Sequence, residues 1–209
     1  MKRYCSRTML EADNLIGTMS AQREAWMRQM LGRDNRMVDI QILRNLTRTG
    51  TFFASTSILI LAGLATILGA TDKAIDLFAN LPLVPQFSPL QWKLRLLSLI
   101  LICIYAFFKF AWSIRQLSYC AIQIGAMEPA SEVDDACVAR CQWIAGLITL
   151  ASAHFNRGLR AYYFATALLA WFIHPMALIV ASIWVVLVLY RREFHSGTLA
   201  LLQESKSKG

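Results

Sequence analysis

Polar side chains recur at regular spacing in an otherwise apolar stretch of this sequence. Gln142, Thr149 and Asn156 are seven residues apart, and Arg160 follows one helical turn later. In a helix this spacing places all four side chains on one face. A polar stripe on an apolar helix indicates either hydrogen bonds between neighbouring helices or the lining of an aqueous path.

Charged residues at the ends of apolar runs suggest a second kind of chemistry, the pairing of opposite charges. Arg157 and Arg160 precede the last long apolar run, Glu193 follows it, and Asp39 falls in the middle of the apolar face of an earlier helical segment. Because an unpaired buried charge is unfavourable, we predict a cluster of Asp39, Arg157, Arg160 and Glu193. The alternatives are arginines that snorkel to lipid headgroups and an Asp39 that is solvated at a frayed first turn.

Motifs for catalysis or cofactor binding are absent from the sequence. There is no glycine-rich phosphate loop, HExxH, GxSxG or paired CxxC, so the sequence predicts neither an enzyme nor a bound cofactor or metal. Cys120, Cys137 and Cys141 fit buried reduced thiols better than metal ligands. We expect His154 and His195 to lie level with each other; a pair of axial haem ligands would need that proximity, but ordinary interfacial histidines explain it with fewer assumptions.

Composition places the chain in the membrane class. Of its 209 residues, 56% are hydrophobic and only 16% are charged, and the net charge is +8. A basic balance in such a chain indicates positive-inside anchoring and contact with anionic lipid, so we predict the bilayer as a partner and no nucleic acid.

The helices that must position these residues are visible as apolar runs. Residues 51–70 and 94–112 each suit one crossing of ~30 Å of hydrocarbon. Residues 161–190 form a run too long for one crossing, and His174-Pro175 lies at its middle, where proline disfavours a continuing helix. We therefore predict two spans there, at 155–173 and 175–192. The resulting fold is all-α, with four transmembrane helices and cytoplasmic amphipathic helices; a three-span alternative would export the basic end of the last run.

The distribution of lysine and arginine predicts the orientation. Nine basic residues precede the first span and four follow the last, whereas Lys73, Lys93 and Arg95 alone flank the first inter-span loop. Both termini are therefore expected on the cytoplasmic side of a bacterial inner membrane. The predicted segments are cytoplasmic helices at 1–49, a first hairpin at 50–114 with its external loop at 71–93, a cytoplasmic segment at 115–156, a second hairpin at 157–192 and a tail at 193–209. Short matches between the two hairpins suggest an internal repeat.

Several distinctive strings resemble one protein family. They are "REAWMRQMLGRDNRMVDIQILRNL", "FFAST", "WSIRQLSY", "HFNRGLRAYYFA" and "LYRREFHS", and they extend over most of the chain from Arg23 to Ser196. The chain thereby resembles the domain-of-unknown-function family five-nine-nine, a set of uncharacterised bacterial and plant membrane proteins. The resemblance implies a multi-span membrane protein and supplies no activity or catalytic residue.

Three functions are compatible with these features. The first is an oligomeric channel or transporter with a charged cytoplasmic vestibule, which the polar residues at membrane depth support. The second is a structural or assembly factor that binds a membrane-protein partner or anionic lipid. The third, a lipid-modifying or redox enzyme, has no motif to support it.

Overall fold

The computed structural model describes residues 15–79 and 88–194, and these residues are helical and without strands. The α-helices are α1 Leu15–Leu31, α2 Met37–Gly69, α3 Thr71–Ala79, α4 Pro89–Gly125, α5 Asp135–Leu169 and α6 Pro175–Phe194, and short 3₁₀ helices cover Ala130–Glu132 and Ala170–Phe172. The predicted all-α fold is confirmed. Cys5, His195 and most of the predicted tail lie outside the described residues.

Within residues 15–79 and 88–194, four helical segments are long and apolar enough to cross a bilayer. They are Met37–Gly69, Pro89–Gly125, Asp135–Phe172 and Pro175–Glu193. The chain is a multi-pass membrane protein, as the sequence predicts. Helices α2, α4 and α5 have 33, 37 and 35 residues. At ~1.5 Å per residue each is about 50 Å long or more, so each extends beyond ~30 Å of hydrocarbon.

The break between α5 and α6 confirms the predicted turn at His174-Pro175. Pro175 is the first residue of α6, a position where its missing N–H costs nothing. His174 caps the new helix, because its Nδ1 accepts a hydrogen bond from the backbone N–H of Met176 at 3.1 Å. Residues 161–190 therefore do not form one continuous helix, and the three-span alternative is wrong.

Side-chain caps also define where the other long helices begin. The Asn35 side chain accepts the N–H of Met37 at 3.0 Å, ahead of α2. Ser88 and Gln91 bond reciprocally to each other's backbone N–H at 3.3 Å, a capping box ahead of α4. Asp134 accepts the N–H of Cys137 at 2.8 Å, and this hydrogen bond lowers the pKa of the Asp134 carboxyl.

Packing groups the chain into two compact units. Unit 1 comprises Met1–Asn45, Gln116–Leu150 and Val186–Gly209, and unit 2 comprises Leu46–Arg115 and Ala151–Val185. Each of the four long helices thus contributes one part to each unit. The five segments predicted from the order of the spans describe topology, which packing does not test, and they stay a prediction.

The core of unit 2 combines small residues with aromatic rings. Ala54, Ala106, Phe110 and Ala161 are buried, and Phe53, Phe155 and Tyr162 pack against them. The Phe110 ring lies 5.4 Å from that of Phe53 and 5.5 Å from those of Phe155 and Tyr162. Small residues let helices approach closely in a membrane, and the rings fill the space between them.

Hydroxyl groups complete this core. The hydroxyls of Ser57 and Tyr162 lie 2.6 Å apart, and both are within hydrogen-bond distance of the Phe53 carbonyl oxygen, at 2.8 and 3.2 Å. Ser113 Oγ donates a hydrogen bond to the Ala151 carbonyl oxygen at 2.8 Å, which joins α4 to α5.

Gly158 is the position where α5 comes closest to the Phe110 ring. A Cβ atom there would lie 2.6–2.9 Å from three atoms of that ring. We expect Gly158→Ala to lower the free energy of unfolding by about 1–2 kcal/mol, because overpacking outweighs the gain in helix propensity. The Tm of the detergent-solubilised protein measures the change.

Gly146→Ala provides the matched control in the same helix, since no atom lies within 4 Å of the Cβ that it would add. This control variant should melt at the wild-type temperature or slightly above it. Equal melting temperatures for the two variants would contradict the close approach at Gly158.

Candidate functional site

Asp39 is fully buried on the first turn of α2, within unit 1. Its Oδ1 accepts a hydrogen bond from Trp26 Nε1 at 2.7 Å and another from Arg33 Nη1 at 2.8 Å. Its Oδ2 is buried and has no hydrogen-bond partner in residues 15–79 and 88–194. Asp39 is therefore buried and paired rather than solvated, and its partners include Arg33, which the sequence did not single out.

The short link between α1 and α2 explains why these three residues meet. Trp26 lies on α1, Arg33 lies in the link, and Asp39 begins α2, so one reversal of the chain brings them together. The side chains of Met27, Met30 and Leu43, on the same two helices, are almost completely buried. The ionised pair has one half-exposed member, Arg33, and one buried member, Asp39, so the carboxylate depends on its two donors.

Arg36 holds a second junction of unit 1. Its Nη1 donates to the Met127 carbonyl oxygen at 2.7 Å, and its Nη2 donates to that of Glu128. Arg140 Nη1 donates to the Ala126 carbonyl oxygen at 3.3 Å. These carbonyl groups follow the end of α4, where the helix dipole favours cations. The sequence shows Arg36 as a basic residue close to the start of a helix. It does not show that Arg36 reaches the end of a different helix, α4.

The predicted polar stripe on α5 is put to different uses along its length. Thr149 Oγ1 lies 3.3 Å from Ser20 Oγ of α1, which is a contact between helices within unit 1. Gln142 is exposed in the same unit. Asn156 and Arg160 belong to unit 2 and are half-buried. Interhelical bonding is therefore established for Thr149, and the lining of an aqueous path stays a prediction for the other residues.

The residues of the predicted ionic cluster are divided between the units. Asp39 and Glu193 belong to unit 1, whereas the exposed Arg157 and the half-buried Arg160 belong to unit 2. Pairing of Arg157 with a carboxylate stays a prediction. Unit 2 itself is strongly cationic, with eight basic and two acidic residues, a net charge of eight minus two, or +6. Its basic residues are Arg48, Lys73, Lys93, Arg95, Lys109, Arg115, Arg157 and Arg160, and its acidic residues are Asp72 and Asp76.

Arg95 occupies an aromatic setting near the turn between α5 and α6. Its guanidinium carbon lies 5.1 Å from the centre of the Trp171 ring, and its side chain is 4% exposed. The Trp92 ring meets the Phe172 ring edge-on at 4.9 Å. A cation over an aromatic face is stabilised by the ring quadrupole, so this contact ties the start of α4 to the end of α5.

An apolar cleft of about 540 Å³ lies between α5 and α6 in unit 2. Its lining offers hydrocarbon and little polar chemistry. The lining residues are Thr166, Ala167, Met176, Ala177, Val180, Ala181, Trp184 and Val185.

The described cysteines are reduced and buried. Cys103 lies in unit 2, and Cys120, Cys137 and Cys141 lie in unit 1. In the part of the chain that the structure describes, no group of three or more His, Cys, Asp and Glu side chains could hold a metal ion. The predicted level pairing of His154 with His195 involves a residue outside the described ranges.

Comparison with known proteins finds one family. The family model described as "Protein of unknown function, DUF599" matches residues 3–198. No curated protein and no solved structure matches the chain significantly.

Trp26→Phe tests whether the indole N–H stabilises the buried Asp39 carboxylate. Phenylalanine keeps most of the apolar contact and removes the donor. We expect the free energy of unfolding to fall by about 1.5–3 kcal/mol, the usual contribution of a hydrogen bond to a charged group. Thermal unfolding in detergent measures it.

Trp143→Phe is the control, because Trp143 is in the same unit and 55% exposed. It should leave the melting temperature nearly unchanged. A Trp26→Phe protein as stable as this control would show that the carboxylate does not need the indole donor.

Proposed function

The chain belongs to the DUF599 family of proteins of unknown function, and we propose that this member is an oligomeric inner-membrane protein of channel or transporter type. In this proposal the solute path lies between copies of the chain, and a cationic vestibule opens at its cytoplasmic end. No residue is assigned a catalytic role.

The filled core of unit 2 is the observation that carries the proposal. Phe53, Phe110, Phe155 and Tyr162 pack against one another between α2, α4 and α5. A solute that crosses beside this unit must therefore follow its outer surface. Lipid would meet the same surface in a single copy, so a polar path needs neighbouring copies to enclose it.

Two of the spanning helices have little burial within the chain. In the most apolar 18-residue stretch of α6 no residue is buried within the chain, and in that of α2 only 11% of the residues are buried. Van der Waals packing between such helices drives association in a bilayer, where the hydrophobic effect does not. These surfaces are available for other copies, in agreement with an oligomer.

The cationic character of unit 2 supports the vestibule. Arg48, Lys109, Arg115, Arg157 and Arg160 lie in the unit 2 parts of α2, α4 and α5, each 14 or more residues from Gly69, Pro89 or His174, where we propose the outer ends of the helices. A concentration of one sign of charge raises the local concentration of ions of the opposite sign. A path beginning there would favour anions.

The orientation can be tested by labelling single cysteines in intact cells, in a background without native cysteines. Asp72→Cys on α3 should react with a membrane-impermeant maleimide, because the positive-inside rule places this region outside. Ser131→Cys should react only after the cells are permeabilised. Labelling of Ser131→Cys in intact cells would reverse the proposed orientation. Both positions are exposed, so burial does not account for a difference.

Flux in reconstituted vesicles tests the transport proposal. We expect the wild-type protein to carry small anions, and Asn156→Leu and Arg160→Gln to change the rate about ten-fold, equivalent to about 1.4 kcal/mol in the barrier. Gln142→Ala should have a smaller effect, since Gln142 lies in unit 1.

Gln41→Ala serves as the control, because Gln41 is an exposed polar residue of α2 outside the proposed path. Chemical cross-linking in the same vesicles reports the number of copies. Absence of flux above that of empty vesicles, with the protein folded and correctly inserted, would refute the channel or transporter proposal.

A structural or assembly factor is the second candidate, and an exposed apolar surface favours it. Met37, Val38 and Ile42 at the start of α2 are 65%, 62% and 39% exposed. From Gly69 at the other end of α2, Ile42 is about 40 Å away and Val38 about 46 Å, farther than ~30 Å of hydrocarbon reaches. A partner protein that covers this surface would remove it from water. Co-purification of one stoichiometric partner, lost in Val38→Ser and Ile42→Ser and accompanied by no flux, would support this function.

A further inference from the structure

The packing of α4 against α5 brings three basic side chains to one level of unit 2. Ser113 bonds to Ala151, and the Phe110 ring meets both Phe155 and Gly158. Sequence numbers rise along one helix while they fall along the other, so these contacts place Lys109 level with about residues 155–159. Arg157 is among them, and His154 precedes them by one residue, so both are within one helical turn of that level.

His154 lies within electrostatic range of two cations. The positive charges of Lys109 and Arg157 both act on the imidazole of His154. Nδ1 of His154 is buried without a hydrogen-bond partner in the described part of the chain. Lys109 lies over the Tyr105 ring of its own helix, with its Nζ 5.1 Å from the ring centre.

No carboxylate of unit 2 balances this charge. Its two acidic residues, Asp72 and Asp76, are both on α3. Phe53 of α2 touches Phe155, so the level of the cluster on α2 is near residues 53–57. Asp72 is at least 15 residues farther along the chain, about 22 Å if the rise of α2 continues, and beyond the range of strong screened attraction.

We propose that Lys109, His154 and Arg157 bind the phosphate group of an anionic membrane lipid. A guanidinium group donates two parallel hydrogen bonds to phosphate oxygens, and an ammonium group adds a point charge. The imidazole adds an N–H donor through Nε2, because its Nδ1 is buried. Anionic phospholipid suits the site better than a zwitterionic one, because the choline of the latter brings a positive charge close to the three basic groups.

The depth of the site identifies the lipid as the source of the phosphate. His174 marks the turn at one face of the bilayer, and residues 154–157 are 17–20 residues from it along α5. At ~1.5 Å per residue they lie about 26–30 Å from the turn, which is the plane of the headgroups on the opposite face. The site shares Lys109 and Arg157 with the proposed vestibule, but it needs only one copy of the chain, and its test requires no flux.

Native mass spectrometry of the full chain in mild detergent tests the site. The protein is exchanged into equal amounts of phosphatidylglycerol and phosphatidylcholine, and the ratio of the two adducts is measured. We expect wild-type protein to prefer phosphatidylglycerol about ten-fold, and Lys109→Gln, His154→Phe and Arg157→Gln each to remove most of that preference. Arg157→Lys should retain part of it, which controls for loss of folding.

Lys93→Gln is the matched control, since it removes one positive charge from the other end of α4. An unchanged preference in this variant supports a site rather than a general effect of net charge. The proposal would be overturned if all the variants kept the wild-type preference for phosphatidylglycerol. It would also be overturned if Lys93→Gln lost as much of that preference as the variants of Lys109, His154 and Arg157. Displacement of phosphatidylglycerol by millimolar inorganic phosphate would support the phosphate site and overturn the lipid as its source. Recovery of Arg157→Gln stability by Glu193→Gln would overturn the site in favour of a carboxylate partner.

Discussion

The close approach of the Phe110 ring to Gly158 fixes how α4 and α5 pack in unit 2. A side chain at residue 158 would occupy the space that the ring fills. Because the ring fits there, Phe53, Phe155 and Tyr162 can surround it, and Ser113 can reach the Ala151 carbonyl oxygen. Van der Waals contact and short hydrogen bonds of this kind hold helices together in lipid, where apolar burial contributes little.

The same packing determines where polar chemistry is available. With aromatic rings in the middle of unit 2, its cationic side chains cannot converge on a central polar channel. They lie instead around the core, as the exposed Arg157 and the half-buried Lys109 do. A function for these cations must therefore involve something that approaches from outside the unit, whether a lipid headgroup, a second copy or a solute between copies.

The sequence predicted the elements much better than the contacts. The four spans and the turn at His174-Pro175 follow from the length of apolar runs and the geometry of proline, which are local properties. The helical face of Asp39 left burial and solvation open, and its donors Trp26 and Arg33 depend on how α1 folds back on α2. The start of α2 also has more apolar residues than it buries. Leu43 is buried, whereas Val38 and Ile42 on the same part of the helix are exposed. Periodicity gives the direction of a helix face and does not supply its neighbour.

Arginine and lysine at a membrane boundary can both set the orientation of the protein in the bilayer and bind an anion. The positive-inside rule counts charges and is indifferent to their partners, so it explains why cations are near residues 109–160 without explaining their arrangement. Snorkelling alone would leave each cation separate, at the nearest headgroup. Lys109, His154 and Arg157 instead share one level on two helices held together by the Phe110 core, and the charges of the other two act on the His154 ring. Holding like charges together has a cost that an anion offsets, so this arrangement favours a specific anionic ligand over independent contacts with the bilayer.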